Sequence, residues 1–189
     1  SIDGQVKPAT TAFSLEDAEK LQINGVDKEK PVTTIKQEFI INAEVAKAWE
    51  VLGPGYEDLH VWASAIKSSS ADDNQSFNGS PCTTRSCSVS GVGNVKEKLL
   101  AYSPSEHTLT YQVIEGNPKP VKYMAIIWKF VAIDNKTTKV EITVELKSAL
   151  KGVVKKKVAK LYSEMGGEFK YYVENEQPHP RKSKAVSKA

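Results

Sequence analysis

Cysteine, histidine and arginine are scarce in this chain of 189 residues, and each scarcity removes a class of chemistry. Cys82 and Cys87 are the only cysteines, and His60, His107 and His179 the only histidines. Two cysteines cannot build a disulfide scaffold, and with three scattered histidines they leave little room for a metal cluster. No metal and no cofactor is expected. Arginine occurs twice, at Arg85 and Arg181. Base-edge readout leans on arginine, so specific nucleic-acid recognition is not expected. No apolar run reaches the roughly 18 residues of a membrane-spanning helix. There is no P-loop, no GxGxxG and no HExxH, which sets aside most nucleotide and metalloprotease chemistry.

What is present fits one soluble domain with tails: 40% hydrophobic and 26% charged residues. The net charge of +3 is unevenly placed. From Lys151 to Ala189, nine Lys and one Arg face four Glu, a surplus of +6, so the first 150 residues sum to −3. The bland reading of that basic end is a solvated lysine face. The chain starts with Ser, so a removed leader or a trimmed end is expected, and export stays open beside a cytoplasmic setting.

Residues 1–31 are polar and read as an N-terminal extension, with one short helix over Phe13–Leu21. Val32–Ile41 is β-branched and predicts a strand. Asn42 is expected to cap a helix over Ala43–Leu52, which Gly53-Pro54-Gly55 stops, and Tyr56–Ser64 predicts a second short helix. Strands then follow in series over Thr84–Ser90, Val95–Tyr102, Thr108–Glu115, Tyr123–Ile133 and Lys139–Leu146, joined by short turns, which means an antiparallel meander. Val154, Val158, Leu161, Met165, Phe169 and Tyr172 recur at helical spacing and predict one long amphipathic helix. Residues 176–189 are expected to be a lysine-rich disordered tail.

This order predicts an α+β fold: a curved antiparallel sheet of six or seven strands around one long C-terminal helix, with two short helices after the first strand. One helix does not fill the hollow of such a sheet, so a pocket is expected. The residues that carry a resemblance are Val45, Ala48 and Trp49, then Trp62-Ala-Ser-Ala-Ile66 and Thr83-Thr-Arg85. They continue with Val95–Tyr102, Tyr111–Gly116, Tyr123 and the helix holding Gly166-Gly167. Over residues 32–175 the chain resembles the START/SRPBCC superfamily, the helix-grip fold of polyketide cyclase/dehydratase-like proteins, in its bacterial branch. The resemblance departs from the abscisic-acid receptors of the same superfamily. Ala63 stands near the place of their ligand-pairing lysine, and Ser90-Gly-Val-Gly-Asn94 stands in their gate loop.

The resemblance implies inward positions for Arg85, Glu97, Tyr111 and Tyr123. Strand parity then adds Cys87 and Val89, Leu99, Val113, and Ala125 with Ile127. Leu161, Met165, Phe169 and Tyr172 are expected to form the helical wall, and Leu59 and Trp62 the lid. Glu97 is the one weak catalytic candidate, and an Arg85–Glu97 ion pair is its structural alternative. The opposite face of the long strand, Met124, Ile126, Trp128 and Phe130, is too apolar for free solvation. A β-bulge, cover by the extension, or a homodimer contact there would account for it. Cys82 and Cys87 are open to a small disulfide loop if the protein is exported.

Three function classes follow. The favoured one is binding of a small hydrophobic molecule (a lipid, polyketide or aromatic metabolite) in the cavity. The alternative is a cyclase, dehydratase or hydrolase using Glu97 as general acid/base. The third is an interaction module whose basic helix and tail touch an anionic membrane.

Overall fold

The computed structural model describes residues 32–188. The extension and its expected helix lie outside the described residues. The elements run β1 (Thr33–Ile41), α1 (Val45–Leu52), α2 (Leu59–Trp62), β2 (Ile66–Ala71), β3 (Thr84–Val89), β4 (Gly93–Ser103), β5 (Thr108–Glu115), β6 (Val121–Asp134), β7 (Thr137–Ser148), α3 (Lys151–Asn175) and α4 (Pro180–Val186).

All seven strands form one antiparallel sheet in the order β1-β7-β6-β5-β4-β3-β2. Only β1 leaves sequence order. It pairs with β7, Ile35 opposite Val144 and Phe39 opposite Val140, so the first and last strands share one edge region. α1 and α2 bridge from that edge to β2 at the other. The core lies between the concave face and α3. Val140, Ile142, Val144 and Leu146 alternate inward along β7, each almost fully buried. Trp62, Trp128, Phe130 and Phe169 close one end of the core, with Phe169 5.2 Å from Trp62 and 5.4 Å from Trp128 between ring centroids.

α1 starts two residues later than the Asn42 signal suggests, with Glu44 at its N-cap. Asn42 and Ala43 are spent on tertiary contacts instead. The Asn42 amide donates to Glu174 Oε1 at 2.9 Å, and the Thr138 hydroxyl donates to the Ala43 carbonyl at 2.8 Å.

The phase of β6 is the main correction. Ile126, Trp128 and Phe130 face the helix, cross-strand from Val144, Ile142 and Val140. Tyr123, Ala125 and Ile127, expected inward, take the opposite face. A register shift between Val121 and Tyr123 is the reason. One extra residue moves every following side chain to the other face. The apolar run Met124, Ile126, Trp128, Phe130 is thus interior surface, and the expected homodimer contact through it has no exposed face to use.

α3 buries Val154, Val158, Tyr162, Met165, Phe169 and Val173. Leu161 and Tyr172, expected on this stripe, are half-buried beside it. Tyr162 and Val173, each one residue on, are buried as well, while Val154, Val158, Met165 and Phe169 stay as expected. Gly166 lets the helix approach β1: a Cβ there would lie 2.8 Å from Phe39 Cε1. The segment expected to be a disordered tail carries α4. His179 Nδ1 accepts from the Arg181 amide at 3.0 Å, and Pro180 occupies the first turn, where its missing N–H costs nothing. Lys182 is buried and its Nζ donates to the Ile66 carbonyl at 2.9 Å. Arg181 Nε lies 3.5 Å from Glu168, a carboxylate only 1% exposed.

Candidate functional site

Between the sheet and α3 lies a cavity of about 470 Å³. Its sheet wall comes from Val89 on β3, Val95 and Glu97 on β4, Tyr111 and Val113 on β5, and Val121 and Met124 on β6. Val154, Val158, Leu161, Tyr162 and Met165 form the helix wall, and Leu59 and Ile66 close the side under α2. Val92, Pro118, Pro120, Leu150 and Val153 border its mouth. The bulge that shifts β6 brings both Val121 and Met124 to this wall.

Seven of the residues expected at the site meet here: Leu59, Val89, Glu97, Tyr111, Val113, Leu161 and Met165. Others sit behind the wall. Leu99 is core, Arg85 is fully buried behind Glu97, and Cys87 brings Sγ to 3.8 Å from Glu97 Oε2. Trp62 and Phe169 belong to the aromatic cluster. Tyr172 borders a shallow depression between α1, α2 and α3, with Lys47 and Glu176. Ile127 lines a depression of about 620 Å³ on the convex face, ringed by charged Lys36, Glu38, Lys129 and Glu141. Ala125 and Tyr123 are buried on that same outer side, Tyr123 across from Lys147. Tyr162, Val158, Val154 and the mouth apart from the Ser90–Asn94 loop were missed. Tyr162 lies one residue beyond Leu161 on the same wall and off the expected spacing, and no local signal marks which turns join the Ser90–Asn94 loop at the mouth.

One polar cluster sits at the cavity wall. Arg85 and Glu97 are direct cross-strand partners, and Arg85 Nε donates to Glu97 Oε2 at 2.6 Å. Arg85 Nη1 donates to the Tyr56 carbonyl. The guanidinium carbon stands 3.9 Å from the Tyr56 ring centroid and 4.5 Å from that of Tyr111, so the cation is held between two π-faces. Its Nη2 has no hydrogen-bond partner among the described residues. Burial works against the charge, but the Glu97 carboxylate beside it outweighs that, and the arginine pKa is held above its usual value.

The neighbouring acids are held neutral. Burial, then the charge of Glu97, pushes the Tyr111 hydroxyl and the Cys87 thiol each up to about 12. Burial raises Tyr162 as well, and its hydroxyl hydrogen-bonds with that of Tyr111. Cys82 is pushed up to about 11, first by burial and then by Glu57. Both cysteines are free and buried, so the disulfide that export would have allowed is not formed. At neutral pH these groups are hydrogen-bond donors rather than nucleophiles. His60, the histidine nearest the lid, is engaged with Ser69 Oγ at 2.8 Å. Among the described residues no group of His, Cys, Asp and Glu is arranged to hold a metal ion, and no helix is long and apolar enough to cross a membrane.

Solved structures share this architecture. A START superfamily protein from Mycobacterium smegmatis matches with a TM-score of 0.63 at 13% identity, covering 76% of this chain and 99% of its own. Ara h 8.0201 matches with a TM-score of 0.62 at 19% identity, covering 76% and 98%. Norcoclaurine synthase from Thalictrum flavum, solved as a point mutant with a transition-state analogue, matches with a TM-score of 0.60 at 15% identity, covering 76% and 94%. Likeness at such identities establishes the fold alone. No curated protein sequence matches. The family model described as polyketide cyclase/dehydrase and lipid transport matches residues 32–174. Seven strands gripping one helix over a hollow are the START/SRPBCC fold, and the sequence match over that same span places the chain in the polyketide cyclase/dehydrase and lipid transport family.

Proposed function

We propose that this protein binds a small, largely apolar molecule in the cavity between sheet and α3. The observation that carries the reading is the cavity itself. Its volume of about 470 Å³ falls in the range of roughly 300–1,000 Å³ typical of small-molecule sites. Valine, leucine and methionine make most of the wall, so burial of apolar ligand surface supplies affinity at about 25 cal/mol per Å². Glu97, Tyr111 and Tyr162 provide a few fixed polar contacts. A ligand with one hydroxyl, phenol or amide end on an apolar body suits that wall. The family description supports the same class.

The test is displacement of a hydrophobic fluorescent probe from the delipidated protein. Val113→Trp projects a large ring into the cavity and should lower probe affinity more than about tenfold, with the melting temperature measured beside it. Unchanged probe affinity in a folded Val113→Trp variant would remove the assignment. Ala125 is no place for such a block, because it faces away from α3.

A second reading rests on Glu97 facing the cavity beside Tyr111. There the carboxylate acts as general base toward a poly-carbonyl or ester ligand, and the tyrosine hydroxyls steady the resulting oxyanion. The thiols, held neutral by burial, are no nucleophiles, which favours binding over catalysis. Turnover of such a ligand, lost in Glu97→Asp while affinity is kept, would decide for the enzyme.

A further inference from the structure

We propose that the mouth of the cavity docks on an anionic lipid surface, with Val92, Leu150 and Val153 entering the headgroup layer and the surrounding lysines meeting lipid phosphates. The purpose of such docking, passage of a ligand between bilayer and cavity, rests on the binding reading above. Its geometry does not.

Three observations meet at this opening. First, Val92 is 44% exposed and Leu150 and Val153 are each 57% exposed. They come from separate segments, the β3–β4 turn and the start of α3, yet all border one cavity. Single exposed aliphatics are ordinary, but three around one opening form a patch. The turn bearing Val92 stands clear of the body. Gly91 and Gly93 take positive φ values of 74° and 107°, and a Cβ on either would meet nothing within 4 Å.

Second, the segments that make the mouth carry one sign of charge. Residues 90–95, 116–122 and 149–157 hold six lysines and no Asp or Glu. All six, Lys119, Lys122, Lys151, Lys155, Lys156 and Lys157, are exposed. Third, four of them crowd the first two turns of α3, where the helix dipole is already positive and no acidic residue balances it. That arrangement is unfavourable for the helix alone. An anionic surface relieves it, and a layer of phosphates over hydrocarbon matches segments that carry exposed lysines beside an apolar opening, with Lys157 on its lining.

The experiment is co-sedimentation of the full chain with neutral phosphatidylcholine vesicles and with mixed phosphatidylcholine–phosphatidylglycerol vesicles, at low and high salt. Binding to the mixed vesicles is expected, falling more than about tenfold at high salt. Lys155→Glu with Lys156→Glu should weaken it more than about tenfold. So should Val92→Asp with Leu150→Glu, in protein whose melting temperature shows it folded. No vesicle binding, or equal binding to neutral vesicles, overturns the proposal. Loss with the lysine changes but not the aliphatic ones also overturns it, by showing adsorption without insertion. Tighter binding to soluble polyglutamate than to vesicles assigns the patch to an acidic protein instead. The two readings fail separately. The lysine variant keeps probe binding in vesicle-free solution, and Val113→Trp keeps vesicle binding.

Discussion

A guanidinium removed from water costs several kcal/mol unless charge and hydrogen bonds replace the lost hydration. Arg85, at 0% exposure, recovers that cost from Glu97, the Tyr56 carbonyl and two aromatic faces. Glu97→Gln leaves the cation unbalanced and should lower unfolding free energy by about 3–5 kcal/mol. Urea melts of that variant and of the double variant Arg85→Met with Glu97→Leu check it. The double variant should recover most of the loss, and a small effect of the single change would mean the pair is not buried. The thiols and tyrosine next to the pair set a pH limit. Cys82 and Cys87 shift from an ordinary value near 9 to about 11 and 12, and Tyr111 from 10 to about 12. Their folded pKa values lie above the unfolded ones, so the unfolded state loses protons first as pH rises. The stability they lend is complete below about pH 9 and drains away from there toward pH 12. Melting temperatures should therefore fall steeply above about pH 9. Ellman's reagent at pH 8 should label neither cysteine until denaturant is added.

At the level of elements, close approach and capping decide what propensity leaves open. The two adjacent glycines of α3 look alike in sequence but differ in surroundings. A Cβ on Gly166 meets the Phe39 ring at 2.8 Å, whereas one on Gly167 meets nothing within 4 Å. Gly166→Ala should cost about 1–3 kcal/mol by overpacking, and Gly167→Ala should stabilise by about 0.5–1 kcal/mol by lowering chain entropy. Thermal melts of the two variants, side by side, read the difference in sign. α4 depends on buried contacts rather than on its own propensity. Lys182 satisfies the Ile66 carbonyl and Arg181 approaches buried Glu168. Neither contact is written in the spacing of the last residues, which is why a lysine-rich end reads as disordered.

Residues 32–188 form a curved sheet closed on one helix, and the interior includes the apolar face of β6 for which a subunit contact was one account. Trp128 is fully buried there, against Phe169 and Phe130. Trp128→Ala should cost about 3–5 kcal/mol at any protein concentration. A subunit contact at this face would instead make the loss depend on concentration. Unfolding in guanidinium at two concentrations a hundredfold apart, expected to coincide, separates the cases.

The strand series and the single long amphipathic helix were legible because period-two and period-3.6 patterns are local, and together they leave little choice but a sheet wrapped on a helix. The Arg85–Glu97 pair was legible as one of two alternatives: a lone carboxylate inside an apolar run needs a partner, and the resemblance put Arg85 and Glu97 both inward. The phase of β6 was legible only as one of three accounts of its apolar face, because a bulge near Val121 inverts a strand without altering its composition. Tyr162 was not legible: it joins Leu161 on the cavity wall although the expected stripe of spacings passes it by. The mouth beyond the Ser90–Asn94 loop was invisible for a deeper reason. Val92, Pro118 and Leu150 are far apart in the chain, and only the packing of three segments around one opening makes them neighbours. Local periodicity thus determined which residues form sheet and helix, while the register of the sheet and the rotation of α3 against it decided which of them face the hollow. Those depend on how surfaces fit together in space.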